Sequence, residues 1–397
     1  MPKKQKVFVG MSGGVDPGGR AKLATGQALL TPKPKVLVGL SGGVDSSVSA
    51  ALLKKDGYDV TGVFIKVWQA DFLPCNWREE RRDAMRAAAA LDIPFLTLDL
   101  EKEYKKEVVD YMIREYGAGR VPNPDVMCNK HIKFGAFLEF AKKNGADLIA
   151  TGHYARIVIS HQSSVPSKYQ LFKGVDAEKD QSYFLWTLTQ EQLSRTLFPV
   201  GDLQKSEVRK LARKFGLPNA DKKDSQGLCF MGKIDMAEFL KHYLKTTKGA
   251  VLDHRGEVVG EHAGAMLYTI GQRHGFSVKK SSPDEKPYFV VGKDIERNTV
   301  TVAHRDAHSL HTKSCALALH EVNDISGRLA NSGGIDCFVR TRYRGELRSA
   351  GWKTREGGAS ARIVFPVPEV DIAPGQSLVA YDKEECMGGG VISTSSD

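Results

Sequence analysis

Hydrophobic positions in the first half of the chain fall into short apolar runs separated by longer amphipathic stretches. Val36-Leu37-Val38, Val60–Val67, Phe95–Leu100 and Asp147–Ala150 have the length and branched content of buried strands, whereas Val48–Lys55, Trp77–Leu91, Glu101–Tyr116 and His131–Lys143 have helical spacing. Alternation of this kind predicts an α/β fold built on a doubly wound parallel sheet, with ligands bound outside the carboxyl ends of the strands. The pattern changes after about residue 230. Runs such as Pro287–Gly292, Thr299–Ala303 and Ser360–Phe365 are short, β-rich and separated by turn residues, which predicts a small central β domain and a C-terminal β-barrel. The boundaries read from this pattern are an extension over 1–34, the α/β domain over 35–230, the central domain over 231–285 and the barrel over 286–397.

One segment stands outside the pattern. Lys6-Val7-Phe8-Val9-Gly10-Met11-Ser12-Gly13-Gly14-Val15-Asp16 recurs 29 residues later as Lys35-Val36-Leu37-Val38-Gly39-Leu40-Ser41-Gly42-Gly43-Val44-Asp45. The second copy runs into Ser46-Ser47-Val48-Ser49-Ala50-Ala51-Leu52-Leu53, a good helix former; the first meets Pro17-Gly18-Gly19 and ends in Thr31-Pro32-Lys33-Pro34, where no amphipathic helix can be drawn. Residues 1–34 read as a degenerate duplicate or a start-site extension, with a second nucleotide site as the alternative. The segment also changes the meaning of the charge. The chain carries 57 Lys+Arg against 47 Asp+Glu, a net +10, but residues 1–34 hold six basic and one acidic residue, half of that excess. A general basic field is therefore a weak sign of nucleic-acid binding here.

Composition excludes other classes. With 41% hydrophobic residues the chain is not mainly disordered, no apolar run approaches a membrane span, and Met1-Pro2-Lys3-Lys4 does not lead into a secretory segment, so a cytoplasmic protein without membrane attachment is expected. Six single cysteines with no Cys-x-x-Cys argue against zinc-ribbon and iron–sulfur motifs.

The chemistry begins at Gly39-Leu40-Ser41-Gly42-Gly43-Val44-Asp45-Ser46. Placed between a strand and a helix, such a loop offers backbone N–H groups and a helix dipole to an anion. It lacks the Gly-Lys-Ser/Thr of the common P-loop and the Gly-x-Gly-x-x-Gly of dinucleotide binders. Two other strand ends point to the same pocket, Ile65 and Thr151-Gly152-His153, where Gly152 offers either bare backbone to an adenine or ribose, or simply a tight turn.

Ser41-Gly42-Gly43-Val44-Asp45-Ser46 resembles the loop of enzymes that cleave ATP to AMP and pyrophosphate. With Pro122-Asn123-Pro124-Asp125-Val126-Met127-Cys128-Asn129-Lys130, Thr151-Gly152-His153-Tyr154, Lys179-Asp180-Gln181-Ser182 and Asp224-Ser225-Gln226-Gly227-Leu228-Cys229, the chain resembles the tRNA-specific 2-thiouridylase family from about Lys35 onward. Tyr268-Thr269-Ile270-Gly271-Gln272-Arg273, Arg342-Tyr343, Pro374-Gly375-Gln376 and Cys386-Met387-Gly388-Gly389-Gly390 continue the likeness. The resemblance implies an adenine nucleotide alpha hydrolase-like sheet and an ATP-dependent replacement of uracil O2 by sulfur, with O2 of the wobble uridine attacking the α-phosphate and pyrophosphate departing into the Ser41–Ser47 loop. Mg2+ would bridge the phosphates, with Asp45 as its carboxylate, unless Asp45 is simply an acid stabilised by the helix dipole.

By the same resemblance Cys229 carries a persulfide supplied by a sulfur-donor protein, either a persulfide relay or a cysteine desulfurase. Cys128, at a helix start with Lys130 and Lys133 nearby, would be favoured as thiolate and would attack that persulfide, leaving a Cys128–Cys229 disulfide, or else the persulfide attacks C2 directly. Asp125 is a general acid or base, or a helix cap. The implied RNA contacts are Asn123, Pro124 and Asp125 to the target base and Lys179, Asp180 and Gln181 nearby, with His153 and Gln376 as additional candidates and Arg342 and Tyr343 offered by the basic stretch; Asn123 on its own reads as a turn residue between prolines. Arg340, Arg342, Arg344, Arg348, Lys353, Arg355 and Arg362 face only Glu346 and Glu356, and with Tyr343 and Trp352 interleaved they form a candidate phosphate-tracking surface or a solvated strand face. Cys75, Cys315, Cys337 and Cys386 are expected to be core thiols. The competing functions are an adenylating ligase with another acceptor, which has no need of both Cys128 and Cys229, and an inactive RNA-binding relative.

Overall fold

The computed structural model describes residues 33–73, 77–160, 168–224, 235–279, 286–304, 314–330, 333–369 and 372–393. The extension over 1–32, Cys75 and Cys229 lie outside the described residues. The first sheet comprises β1 (Lys35–Gly39), β2 (Asp59–Lys66), β3 (Phe95–Asp99), β4 (Leu148–Ala150) and β7 (Thr196–Leu197), all parallel, in the order β3-β2-β1-β4-β7. Alternate residues enter opposite cores. Val36, Val38, Val60 and Phe64 pack against the Val44–Lys55, Trp77–Ala90 and Lys205–Lys214 helices, while Leu37, Val63, Ile65 and Val67 face the other side. That side is covered by two helical runs, Glu101–Tyr104 through Tyr111–Gly117 and Pro124–Met127 through Phe137–Lys143, each with a π-helical middle. Both faces are thus buried, which is why these strands read as continuous apolar runs. The chain reverses its direction of travel across the sheet between β1 and β4, so the loops after these strands flank the crevice where such folds bind ligands.

The central sheet has the order β10-β9-β8-β12-β11, formed by β8 (Gly249–Leu252), β9 (Val258–His262), β10 (Phe276–Val278), β11 (Tyr288–Asp294) and β12 (Thr299–His304). This corrects the boundary drawn at 285/286. The runs at 287–292 and 299–303 belong to the central sheet, because β12 pairs in parallel with β8 at Thr299↔Ala250 and carries β11 with it. The barrel starts at β13 (Ser314–Asp324) and continues through β14 (Ile335–Arg340), β15 (Arg348–Thr354), β16 (Ser360–Glu369), β17 (Ser377–Asp382) and β18 (Glu385–Ile392), closing through a β13–β18 pairing. A hairpin of the α/β domain, β5 (Ala155–Ile159) and β6 (Tyr169–Lys173), adds to the same sheet through β6–β18 contacts at Phe172↔Glu385 and Leu171↔Cys386. Among the described residues no helix is long and apolar enough to cross a membrane.

Two members of the expected basic surface are taken up by packing, Trp352 inside the barrel and Arg340 on its outer side. Trp352 is 1% exposed in the barrel core, since it shares the inward parity of Ala350 on β15. Arg340 donates to Asp180 Oδ2 at 3.1 Å, and Asp180 Oδ1 accepts from the Gly174 and Ser182 amides. Asp180 is 4% exposed, so it is a tie between the barrel and the α/β domain and not an open RNA contact. Asp180→Ala would strand the Arg340 guanidinium, and a loss of about 3–5 kcal/mol is expected in chemical denaturation. The thiols also divide. Burial pushes Cys337 up to about 12 and raises Cys386 further, as core thiols require, but Cys315 is exposed at the start of β13 and departs from the expectation.

Candidate active site

The loop after β1 is shaped by Gly42, whose φ of +77° is a left-handed conformation, and by Gly43, which caps the Val44–Lys55 helix without a side-chain hydrogen bond. The first N–H groups of that helix therefore keep their donor capacity for a ligand. Ser46 and Ser47 hydroxyls donate to the Gly43 carbonyl at 3.2 and 2.9 Å, and Ser46 Oγ also accepts from the Ser41 amide at 3.3 Å. Asn219, 7% exposed, donates to the Gly42 carbonyl and to Ser47 Oγ, both at 3.0 Å. Gly39 and Leu40 lead into the loop, with Leu40 1% exposed. Ile65 is 4% exposed on β2, so its side chain belongs to the core. A Cβ on Gly152 would stand 2.7 Å from the Ser46 nitrogen and 2.9 Å from the Asp45 carbonyl carbon. The bare backbone at Gly152 thus serves close packing of β4 against the loop.

Asp45 is the hub of the charged network. Its Oδ1 accepts from Tyr154 at 2.8 Å, and its two oxygens accept from Lys205 Nζ at 2.7 and 2.8 Å. Lys205 reaches Asp224 at 2.9 Å, and Asp224 also accepts from Lys179 and Arg209, both at 2.7 Å. Burial and the neighbouring Asp45 charge both push the Tyr154 phenol up, so it stays a neutral donor. At Asp224 burial works to raise the carboxyl, but the Lys179 and Lys205 hydrogen bonds outweigh it and hold the group at about 2. The stabilisation this gives is fully present above the ordinary carboxyl value of 3.8 and is lost as pH falls toward 2. Asp224→Asn is expected to cost about 1–3 kcal/mol at neutral pH, between an exposed and a buried pair, with a matching drop in Tm. Sequence reading missed Lys205 and Asn219. Neither carries a motif, and Lys205 lies 160 residues from its partner.

Uncapped helix donors, hydroxyls and glycine backbone fit the phosphate groups of a nucleotide. For a divalent cation the fit is narrower: among the described residues no three His, Cys, Asp or Glu side chains converge, so Asp45 would hold Mg2+ only together with phosphate oxygens.

The second cluster surrounds Cys128, which is 0% exposed. Asn123 caps the Pro124–Met127 turn, its Oδ1 accepting from the Val126 amide at 3.3 Å, with Pro124 at the first helical position. Asn123 therefore fills the cap, and Asp125 lies within the first turn instead of capping it. Gln376 donates to the Val121 and Pro122 carbonyls at 2.9 and 3.1 Å, so the barrel braces this turn from behind. Gln181 Oε1 accepts from the Tyr154 amide at 3.0 Å, tying the Lys179–Gln181 segment to the hub. Tyr343 packs 4.5 Å from the Phe184 ring, and Arg342 is exposed beside it. His153 is 6% exposed, between Phe134 and Phe198, with Nδ1 2.7 Å from Thr151 Oγ1 and Nε2 3.3 Å from Lys133 Nζ. Burial and the Lys133 charge hold it neutral, so it is a core histidine and not a surface RNA contact.

A parallel sheet with a serine–glycine loop feeding an uncapped helix defines a nucleotide-binding α/β enzyme, and residues 34–233 match the tRNA methyl transferase HUP domain model. Residues 237–304 match a tRNA methyl transferase PRC-barrel domain and 314–392 an aminomethyltransferase beta-barrel domain. The tRNA-specific 2-thiouridylase MnmA of Streptococcus uberis is 45% identical over 394 residues, covering 98% of this chain and 95% of the relative. MnmA 2 of Geobacillus kaustophilus is 45% identical over the same shares. The chain belongs to the tRNA-specific 2-thiouridylase family. Among solved structures, U34-tRNA thiolase NcsA from Methanococcus maripaludis aligns with TM-score 0.33 and 18% identity, over 55% of this chain and 66% of that one.

Proposed function

We propose that the chain is an ATP-dependent tRNA-uridine 2-sulfurtransferase acting on the wobble uridine. The observation that supports it most is end-to-end identity with 2-thiouridylases joined to an uncapped phosphate loop. The domain models are described as methyl transferases, a different chemistry, and the full-length relatives outweigh them. In this reading the loop Gly39–Ser46 receives the phosphates of ATP, and Mg2+, held by Asp45, neutralises their charge when bound. Adenylation makes uracil O2 a leaving group. Asn123, Pro124 and Asp125 present the flipped base, with Asp125 as acid or base. A donor protein of the persulfide-relay or desulfurase class loads Cys229. Cys128 then attacks the Cys229 sulfur, the S–S bond to the outer sulfur breaks, and sulfide adds at C2 as AMP leaves with the oxygen. The resulting disulfide is reset by a thiol reductant. The enzyme works in the cytoplasm from residues 35–397, with 1–34 dispensable. A sulfur-transfer assay with labelled donor, ATP and unmodified tRNA, run on the full chain and on one starting at Lys35, tests this. Thiouridine from both is expected; tRNA binding without thiouridine from either favours the inactive RNA-binding relative.

A further inference from the structure

The arginine-rich stretch of the barrel divides when it folds. Arg340 is held by Asp180, Arg344 donates to the Glu178 carbonyl at 2.9 Å, and Arg348 pairs with Glu346 at 2.6 Å. Arg342, Lys353, Arg355 and Arg362 remain, all exposed, among them a facing pair to which the described residues supply no ion-pair partner, Lys353 and Arg362. They stand directly opposite each other in the antiparallel β15–β16 ladder. Like charges at facing positions repel and weaken a strand pair, so this arrangement costs stability unless an anion lies between them. Their row across the outer face is Ala318, Arg362 and Lys353; the next is Ala316, Val364, Gly351 and Asp336. Small neighbours leave the two cations standing above a low surface. The acidic groups nearby are Asp336, one row along β14, and Glu356 in the turn between the two strands, both exposed.

The direction of β15 gives the pair its meaning. The loop before it leans on the α/β domain through Arg344 and Tyr343, beside Glu178 and Phe184. From Arg348 the strand leads away from that loop, and Lys353 lies about 17 Å on at ~3.3 Å per residue. We infer that the Lys353–Arg362 pair binds the phosphodiester backbone of the tRNA stem beyond the anticodon loop, and that this anion relieves the repulsion in the strand pair. The inference rests on the tRNA reading above and assigns it a second contact, away from the chemistry.

The test compares wild type, Lys353→Gln/Arg362→Gln, and Lys353→Glu, using full tRNA and a single-stranded oligonucleotide of the anticodon loop. The double variant should raise Kd for full tRNA roughly tenfold and flatten the dependence of log Kd on log salt by about 1 to 2 units, while leaving the oligonucleotide unaffected. Lys353→Glu creates an opposite-charge pair with Arg362, so its Tm should rise as its tRNA affinity falls. Unchanged full-tRNA binding in the double variant overturns the inference. So does an equal loss for both RNAs, or loss of donor-protein binding alone. Failure of wild type to make thiouridine removes the tRNA reading instead, which keeps the two outcomes apart.

Discussion

Cys128→Ser is expected to abolish thiouridine formation, lowering turnover by at least about three orders of magnitude, while ATP-dependent release of pyrophosphate persists. The two readouts separate because they depend on different groups: the phosphate loop is braced by Asn219, Lys205 and Tyr154, whereas Cys128 follows the Asn123-capped turn. Serine fits the space of the thiol, so the fold should survive with at most about 1–3 kcal/mol lost for a buried hydroxyl. Serine cannot take the sulfur–sulfur bond of a persulfide. Nucleoside mass spectrometry on tRNA reads the product, and a serine variant that still thiolates would remove Cys128 from the mechanism. Cys229→Ser should fail one step earlier, leaving no protein-bound sulfur after incubation with labelled donor.

Gly42→Ala is expected to destroy nucleotide binding, with at least a tenfold loss of ATP affinity in direct titration. Two independent effects act at this position. The φ of +77° costs an alanine about 1–2 kcal/mol, and its Cβ would fall on the Glu80 carbonyl oxygen, with the Asp83 Cβ only 3.2 Å away. Neither obstacle is the movable end of a side chain, so the loop itself must shift, and with it the Gly42 carbonyl held by Asn219. Gly57→Ala, also at positive φ but with open space around it, is the control: it should cost stability without affecting ATP. Equal ATP affinity in Gly42→Ala and wild type would show that the loop is not the phosphate site.

Much of this was legible in the sequence because it is local. The strand, small-residue loop and helix at Val36–Lys55 are contiguous, and alternation along β1 and β2 is a consequence of strand geometry that needs no distant partner. What the residues do not state is pairing across long separations. The runs at 287–292 and 299–303 have the composition of barrel strands, and only the Thr299↔Ala250 register assigns them to the central sheet. Arg340 looks like its exposed neighbours until Asp180, 160 residues earlier, is brought against it. Trp352 is a different kind of miss. Its place two residues from Ala350 already gave it inward parity, and the surrounding charge obscured a period-two signal. His153 was drawn to the RNA by its motif, yet its partners Thr151 and Lys133 make it part of the interior.

Strand β18 has a consequence for how the molecule comes apart. It is bonded to β17 and β13 within the barrel and to β6 of the α/β domain, and Trp186 lies over Gly389, where any Cβ would meet the indole at 3.0 Å. One strand therefore belongs to two folding units, which should melt in a single calorimetric transition and exchange their core amides together. The barrel is not a detachable module: cutting the chain before β13 would expose the edge of β6 as a template for aggregation. Evolutionary exchange of this barrel for another would thus have required replacing the hairpin of the nucleotide domain along with it.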